Sequence, residues 1–158
     1  MQNHILTNIT TTKKNDMTVN ATNSLTFKSK VDIQIRMTDL DPLGHVNNGV
    51  FYSYYDIGRL HYLSQLNEET RWETIDKIVV RTECDFMESI IFQDDISVET
   101  KVIEIGNKSV KMLQRIVDNN TGKVKSSCLS VMSGYDKQNN TSKVISEEFK
   151  KKVKSFEE

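Results

Sequence analysis

The chain has 158 residues and a mass of 18.2 kDa, enough for one packed core and too little for two comfortable domains. Charged residues make up 27% and hydrophobic types 37%, a balance that gives no case for global disorder or for membrane spanning. Lys and Arg number 21 against 22 Asp and Glu, a net charge of −1, so no basic field exists to hold a nucleic acid.

Residues 1–27 are rich in Thr and Asn and show no sustained periodicity, which predicts a flexible polar tail ahead of one domain over 28–158. Ile5, Leu6 and Ile9 are scattered rather than continuous, so a secretory signal is not expected and a cytoplasmic location is. A transit peptide stays open, because residues 1–15 lack Asp and Glu, though they also lack Arg, and a start at Met17 stays open as well. From Lys30, the apolar residues Val31, Ile33, Ile35 and Met37 alternate with polar ones, the mark of a half-buried strand. Thr38–Asn48 follows, dense in turn and capping residues and holding the only proline.

Asn48–Leu66 predicts a helix, with Asn47 or Asn48 as its cap. Its apolar and aromatic residues point in nearly every direction, which predicts burial around most of its circumference. Gly58 inside it costs about 1 kcal/mol against Ala, so a close neighbour is expected there. After a polar connection through Trp72, four strands are predicted, over 76–90, 96–105, 108–118 and 123–135. Gln93-Asp94-Asp95, Gly106-Asn107 and Asn119-Asn120-Thr121-Gly122 are short and carry turn chemistry, so these strands are expected to pair in sequence as an antiparallel meander. Ser146–Phe156 reads as a short surface helix. One very apolar helix and several strands leave an α+β arrangement in which the sheet wraps the helix. Cys84 and Cys128 both lie in apolar, strand-like runs and read as reduced and buried.

The loop Asp39-Leu40-Asp41-Pro42-Leu43-Gly44-His45-Val46-Asn47-Asn48 carries the chemistry. Pro42 biases Asp41 toward extended geometry, and Gly44 allows a tight turn before the helix starts. That arrangement sets a carboxylate close to a helix N-terminus, where unpaired N–H groups and the helix dipole favour developing negative charge. Such a pairing suits acyl transfer: the carboxylate attacks a carbonyl or activates a water, and the N–H groups receive the oxyanion. Plain turn and capping roles for Asp39 and Asp41 fit the same spacing and stay open. Calcium does not fit, since Leu43 and Val50 stand where ligands belong. An Asp-x-Asp phosphotransferase would need a buried parallel strand and alternating helices. His4, His45 and His61 show no zinc-ligand spacing with each other or with the cysteines.

This loop, D-x-D-x-x-G-H-V-N-N, and the aromatic-rich helix ending near Asp56-Ile57-Gly58-Arg59 resemble the 4-hydroxybenzoyl-CoA thioesterase family of hotdog proteins. The resemblance runs over about residues 29–150 and takes in Gly106-Asn107-Lys108-Ser109 and Thr121-Gly122-Lys123. It implies a hotdog fold, an antiparallel sheet around one long central helix, in dimers that often pair into tetramers with active sites at the subunit interface. It further implies hydrolysis of a thioester of coenzyme A or of an acyl carrier protein, without metal or prosthetic group. Position by position, the catalytic carboxylate falls on Asp41, as nucleophile or general base, and Asp39 supports it. The backbone N–H lining the oxyanion pocket falls on Asn48, whose amide replaces the aromatic or histidine of some relatives. His45 belongs to a common variant, with loop ordering, helix capping or proton transfer as its role. Lys108 matches a position near the nucleotide end of coenzyme A, although Gly106 and Asn107 stand where some relatives have arginines. The rival expectation is a non-catalytic hotdog module that binds acyl thioesters or serves as a scaffold. A hotdog dehydratase would need a differently placed His and acid, and no such pair is present.

Overall fold

Alternation in the sequence becomes a sheet in the computed structural model, which describes residues 25–67 and 76–158. Nearly all of the expected tail, and the connection through Trp72, lie outside the described residues. The elements run β1 (Ser29–Ile33), a 3-10 turn (Met37–Asp39), α1 (Asn48–Gln65), β2 (Lys77–Phe86), β3 (Ile96–Ile105), β4 (Ser109–Asp118), β5 (Val124–Asp136), β6 (Thr141–Ser142) and α2 (Glu147–Glu157). The sheet is antiparallel in the order β1-β3-β4-β5-β2, with the two-residue β6 on the end of β5, and α1 packs against it. This is the expected α+β architecture. Among the described residues, no helix is long and apolar enough to cross a membrane.

Four local expectations are corrected. The first strand ends at Ile33: Ile33 and Ile35 are buried as alternation requires, but Met37 is 68% exposed. The reason is a reciprocal pair, Arg36 N–H to the Asp39 carboxylate at 2.8 Å and Asp39 N–H to the Arg36 carbonyl at 3.0 Å, which bends the chain into the 3-10 turn.

The meander holds for β3-β4-β5 and fails for β2, which pairs with β5 while β1 takes the place beside β3. The Gln93-Asp94-Asp95 segment therefore closes a crossover rather than a hairpin. Its turn residues do local work instead. Asp94 accepts from Ile91 N–H at 3.1 Å, and the Asp95 carbonyl accepts from Asn119 N–H at 2.8 Å, fastening the crossover to the β4–β5 turn.

The helix α1 is buried on one side only. Phe51, Tyr54, Tyr55, Gly58, Arg59 and Tyr62 face the core, whereas Tyr52, Ile57 and Leu60 are each more than two-fifths exposed, because a single sheet covers a single side. Lastly, α2 is more than a surface helix: capped by Ser146, whose hydroxyl accepts from Phe149 N–H at 3.2 Å, it buries Phe149 and Val153.

The core divides along α1. Phe51, Tyr54 and Tyr55 pack with Ile33, Ile35, Val46, Ile90, Ile96, Val98, Ile116 and Cys128 near the helix N-terminus. Tyr62 and Leu66 pack with Val102, Val110, Met112, Met132, Ile145, Phe149 and Val153 near its C-terminus. Between the two lies a polar belt. Arg59 donates to Gln114 at 3.0 Å and to Ser130 at 3.2 Å and is ion-paired with Asp56. The Gln114 amide in turn donates to the Tyr55 carbonyl at 2.8 Å and to Thr100 at 3.1 Å. The helix comes down on this belt at Gly58, where a Cβ would stand 2.4 Å from Val98 Cγ1 and 2.9 Å from both Gln114 Nε2 and Thr100 Oγ1. The expected close neighbour is therefore the sheet itself, and the buried hydrogen bonds on either side hold the helix in one register.

Candidate active site

The loop between β1 and α1 folds on itself before it meets the helix. Asp41 Oδ1 accepts from Leu43 N–H at 2.8 Å and from His45 N–H at 3.2 Å, and Asp41 N–H donates to the His45 carbonyl at 2.7 Å. Gly44 makes the reversal possible with φ +79°, a conformation open to Gly at little cost. Pro42 keeps the chain extended just before it. Two further bonds fix where this turn sits. Tyr54, on α1, donates to Asp39 Oδ2 at 2.7 Å, and Asn47 N–H donates to the Asp39 carbonyl at 2.9 Å. Burial, followed by the Asp39 hydrogen bond, pushes the Tyr54 hydroxyl well above the usual phenol range, so it stays a donor at any ordinary pH. Asp39 thus supports the loop through its own side chain.

At the start of α1 the cap is Asn47 rather than Asn48: its side-chain oxygen accepts from Gly49 N–H at 2.8 Å and its carbonyl from Val50 N–H at 2.8 Å. Gly49 and Val50 are thereby satisfied. Among the described residues, the Asn48 N–H has no acceptor and Asp41 Oδ2 has no donor.

Asp41, His45 and Asn48 line one cleft of ≈ 190 Å³ together with Val46, Phe51 and the segment Phe86–Ser89. Phe51 and Phe86, both among its lining residues, meet edge to face with ring centroids 5.0 Å apart. Asp41 and His45 are half-buried and Asn48 is exposed. The backbone of His45 orders the loop, through its bonds with Asp41 and a bridge to Ile91.

Lys108 is not part of this group. It lies in the β3–β4 turn and reaches Ser142 at 3.2 Å, at the far end of strands whose other ends carry the cleft. A ten-residue strand such as β4 spans about 30 Å, so one chain does not bring Lys108 to Asp41.

Sequence reasoning missed the second wall, Phe86, Met87, Glu88 and Ser89. These residues read as the end of a strand, and only the crossover places them opposite the loop. Glu88 is a second carboxylate in the cleft, held below the ordinary range by a hydrogen bond from Lys125 and by the charge of Lys123. Lys125 also approaches the Ser89 carbonyl at 3.4 Å, Asp94 at 3.7 Å and Asp118 at 3.9 Å, and so ties the wall to β5. Glu88 has two cationic partners while Asp41 has none among the described residues, which leaves Asp41 as the carboxylate available for chemistry. A carboxylate beside the head of a helix that keeps an unspent N–H can activate a nucleophile and receive an oxyanion.

The family model described as the thioesterase-like superfamily matches residues 35–153. Among solved structures, a thioesterase from Thermus thermophilus, complexed with coenzyme A and Zn, is 28% identical with a TM-score of 0.75, covering 83% of this chain and 95% of that one. The DHNA-CoA thioesterase from Staphylococcus aureus shares the fold at 18% identity and a TM-score of 0.66, covering 74% of this chain and 78% of that one. Among curated proteins, the uncharacterized protein YsmA of Bacillus subtilis is 24% identical over 89 residues, spanning 56% of this chain and 59% of YsmA.

Proposed function

The chain belongs to the thioesterase-like superfamily, and we propose that it hydrolyses an acyl thioester, coenzyme A or an acyl carrier protein supplying the thiol, to give a free acid. The observation that carries this reading is the cleft that Asp41 and Asn48 line together, with the Asn48 N–H unspent at the head of α1. With the thioester carbonyl lodged there, Asp41 Oδ2 acts as nucleophile or draws the proton from an attacking water. The Asn48 N–H, at the positive end of α1, stabilises the oxygen as it gains charge. Collapse of the tetrahedral species expels the thiolate. His45 supports the loop through its backbone. The coenzyme A bound by the Thermus relative supports a coenzyme A thioester as substrate.

The active unit in this reading is a homodimer or a pair of dimers. A cleft of ≈ 190 Å³ is small beside the roughly 300–1,000 Å³ of sites that enclose whole ligands, so one chain supplies only part of the pocket. The strand β2 is at the edge of the sheet and leaves Ile78, Val79 and Val80 exposed, together with Tyr52, Ile57 and Leu60 on α1. A long apolar edge of this kind is a template for pairing with a second copy. Lys108 contacts the nucleotide phosphates in this reading only from a second copy.

The test is a panel of acyl-CoAs of different chain length, with released thiol read by a colour reagent. Turnover on some member, dependent on Asp41, is the expected result. Tight binding to the panel with no thiol released would favour the non-catalytic module.

A further inference from the structure

Two thiols face each other beside the cleft without a part in the chemistry above. Cys84 on β2 and Cys128 on β5 are direct partners across the antiparallel pair. Such partners have Cα atoms about 4.5–5.5 Å apart, inside the roughly 4.4–6.8 Å that a disulfide accepts. Both side chains belong to the face turned to α1: Cys128 sits in the core cluster and Cys84 packs against it. Their environments differ. Cys84 is half-buried and Cys128 is fully buried.

We propose that Cys84 and Cys128 are a reversible dithiol–disulfide pair, with Cys84 the thiol that a peroxide meets first and Cys128 the one that resolves it. A hydrogen bond from Cys128 holds the Cys84 thiol below its ordinary value against the effect of burial, with help from the Tyr52 hydroxyl and the Arg59 charge. The same hydrogen bond, with burial, pushes Cys128 up, so it keeps its proton until Cys84 has reacted. The Cys84 thiolate attacks one peroxide oxygen: an S–O bond forms, the O–O bond breaks, and the departing hydroxide takes a proton to leave as water. Cys128 then attacks the Cys84 sulfur. The S–S bond forms, the S–O bond breaks, and the hydroxyl leaves as water with the Cys128 proton. Two thiols are oxidised and one peroxide is reduced to two waters. A small dithiol reverses the step by exchange.

The place of the pair gives it a consequence. Phe86, two residues beyond Cys84 on the same strand, lines the cleft and meets Phe51 there. A bond between Cys84 and Cys128 ties the edge strand to β5 just behind that wall. The pairing itself rests on strand register and thiol environment, not on what the cleft binds.

The experiment exposes the full chain to excess hydrogen peroxide, quenches it, alkylates the remaining thiols and maps peptides by mass spectrometry. The expected result is joint loss of both thiols and an intrachain Cys84–Cys128 peptide lighter by two hydrogens, restored by dithiothreitol. In Cys128→Ser, Cys84 should stop at a sulfenic acid trapped by a cyclic diketone; in Cys84→Ser, Cys128 should stay reduced. Both thiols surviving in the natural chain, Cys84 oxidised alone there, or a disulfide joining two chains on a non-reducing gel would each overturn the proposal. Because the readout is the bond itself, failure here leaves the thioesterase reading standing.

Discussion

The replacement Asp41→Asn separates chemistry from folding. The asparagine oxygen can still accept from Leu43 and His45 N–H, at the 2.8 and 3.2 Å positions of Asp41 Oδ1, so the turn keeps both bonds. What is lost is their charge assistance. Hydrogen bonds to charged groups are worth about 1.5–3 kcal/mol against about 0.5–1.5 for neutral ones. One of these bonds is exposed and the other half-buried, so the two together should cost about 1–2 kcal/mol of stability. A domain stable by about 5–15 kcal/mol remains folded after such a loss. The chemical step has no such reserve, because an amide is neither nucleophile nor base. General base catalysis is worth about 10² to 10⁴ in rate, which is about 3–5 kcal/mol of barrier. Steady-state thiol release and a urea titration on the same preparation test both halves. Turnover should drop at least a hundredfold while the urea midpoint moves only slightly. An Asn variant that keeps a tenth or more of kcat/KM would refute the role given to Asp41.

Three further outcomes follow from the geometry. Gly58→Ala gains about 1 kcal/mol in helix propensity but drives a methyl to 2.4 Å from Val98 and into Gln114 and Thr100; overpacking costs about 1–3 kcal/mol and a disturbed buried hydrogen bond a similar amount. The urea midpoint should fall, and an unchanged one would show that the helix does not rest on the polar belt as described. Tyr54→Phe removes the 2.7 Å bond that holds Asp39 to α1; loosening the loop should cost about tenfold in kcat with little change in KM, and an unaltered kcat would end the positioning role of Tyr54. Stability should also fall in acid. Burial opposes the effect at Asp76, but Lys77 and Lys143 hold it below its ordinary 3.8; the Lys125 bond holds Glu88, and the Lys150 bond Glu147, below 4.5. Each binds fewer protons folded than unfolded, so its contribution is present above those ordinary values and is lost as pH falls through the lower, folded ones. Urea midpoints that stay level from about pH 6 to about pH 3 would contradict this.

Much of what depends on near neighbours was legible in the sequence, although the Arg36–Asp39 pair that ends β1 early was not. The bounds of β3, β4 and β5 fall within a residue or so of those predicted, because alternation and turn residues act over a few positions. The same holds for the helix cap, expected at Asn47 or Asn48 and found at Asn47, and for the close approach at Gly58. Long-range pairing was not legible. Nothing between Phe86 and Ile96 distinguishes a hairpin from a crossover, since Asp94 and Asp95 suit either. The exposed side of α1 escaped notice for a related reason: Tyr52, Ile57 and Leu60 read as core on composition alone, and only the count of sheets around the helix shows which side is covered.

The misread crossover and the missing wall of the cleft have one cause. Had β2 turned back into β3, residues 87–95 would have formed a short surface loop beside their own strands. Because β3 instead lies beyond β4 and β5 from β2, this segment passes over the end of the sheet and meets the Asp41 loop there. Val46 N–H donates to the Ile90 carbonyl at 2.8 Å and His45 bridges to Ile91, so the two segments form a small two-stranded contact, with Ile90 fully buried beneath it. The loop that carries Asp41 is thus supported on both sides, by Tyr54 through Asp39 and by Ile90 through Val46. A carboxylate on a loop with one free edge would sample many directions, whereas one held between a helix and a crossover is fixed before any substrate arrives. Strand order, which no local pattern encodes, therefore decides whether the Asp41 loop is held on both sides, as the proposed role of Asp41 requires.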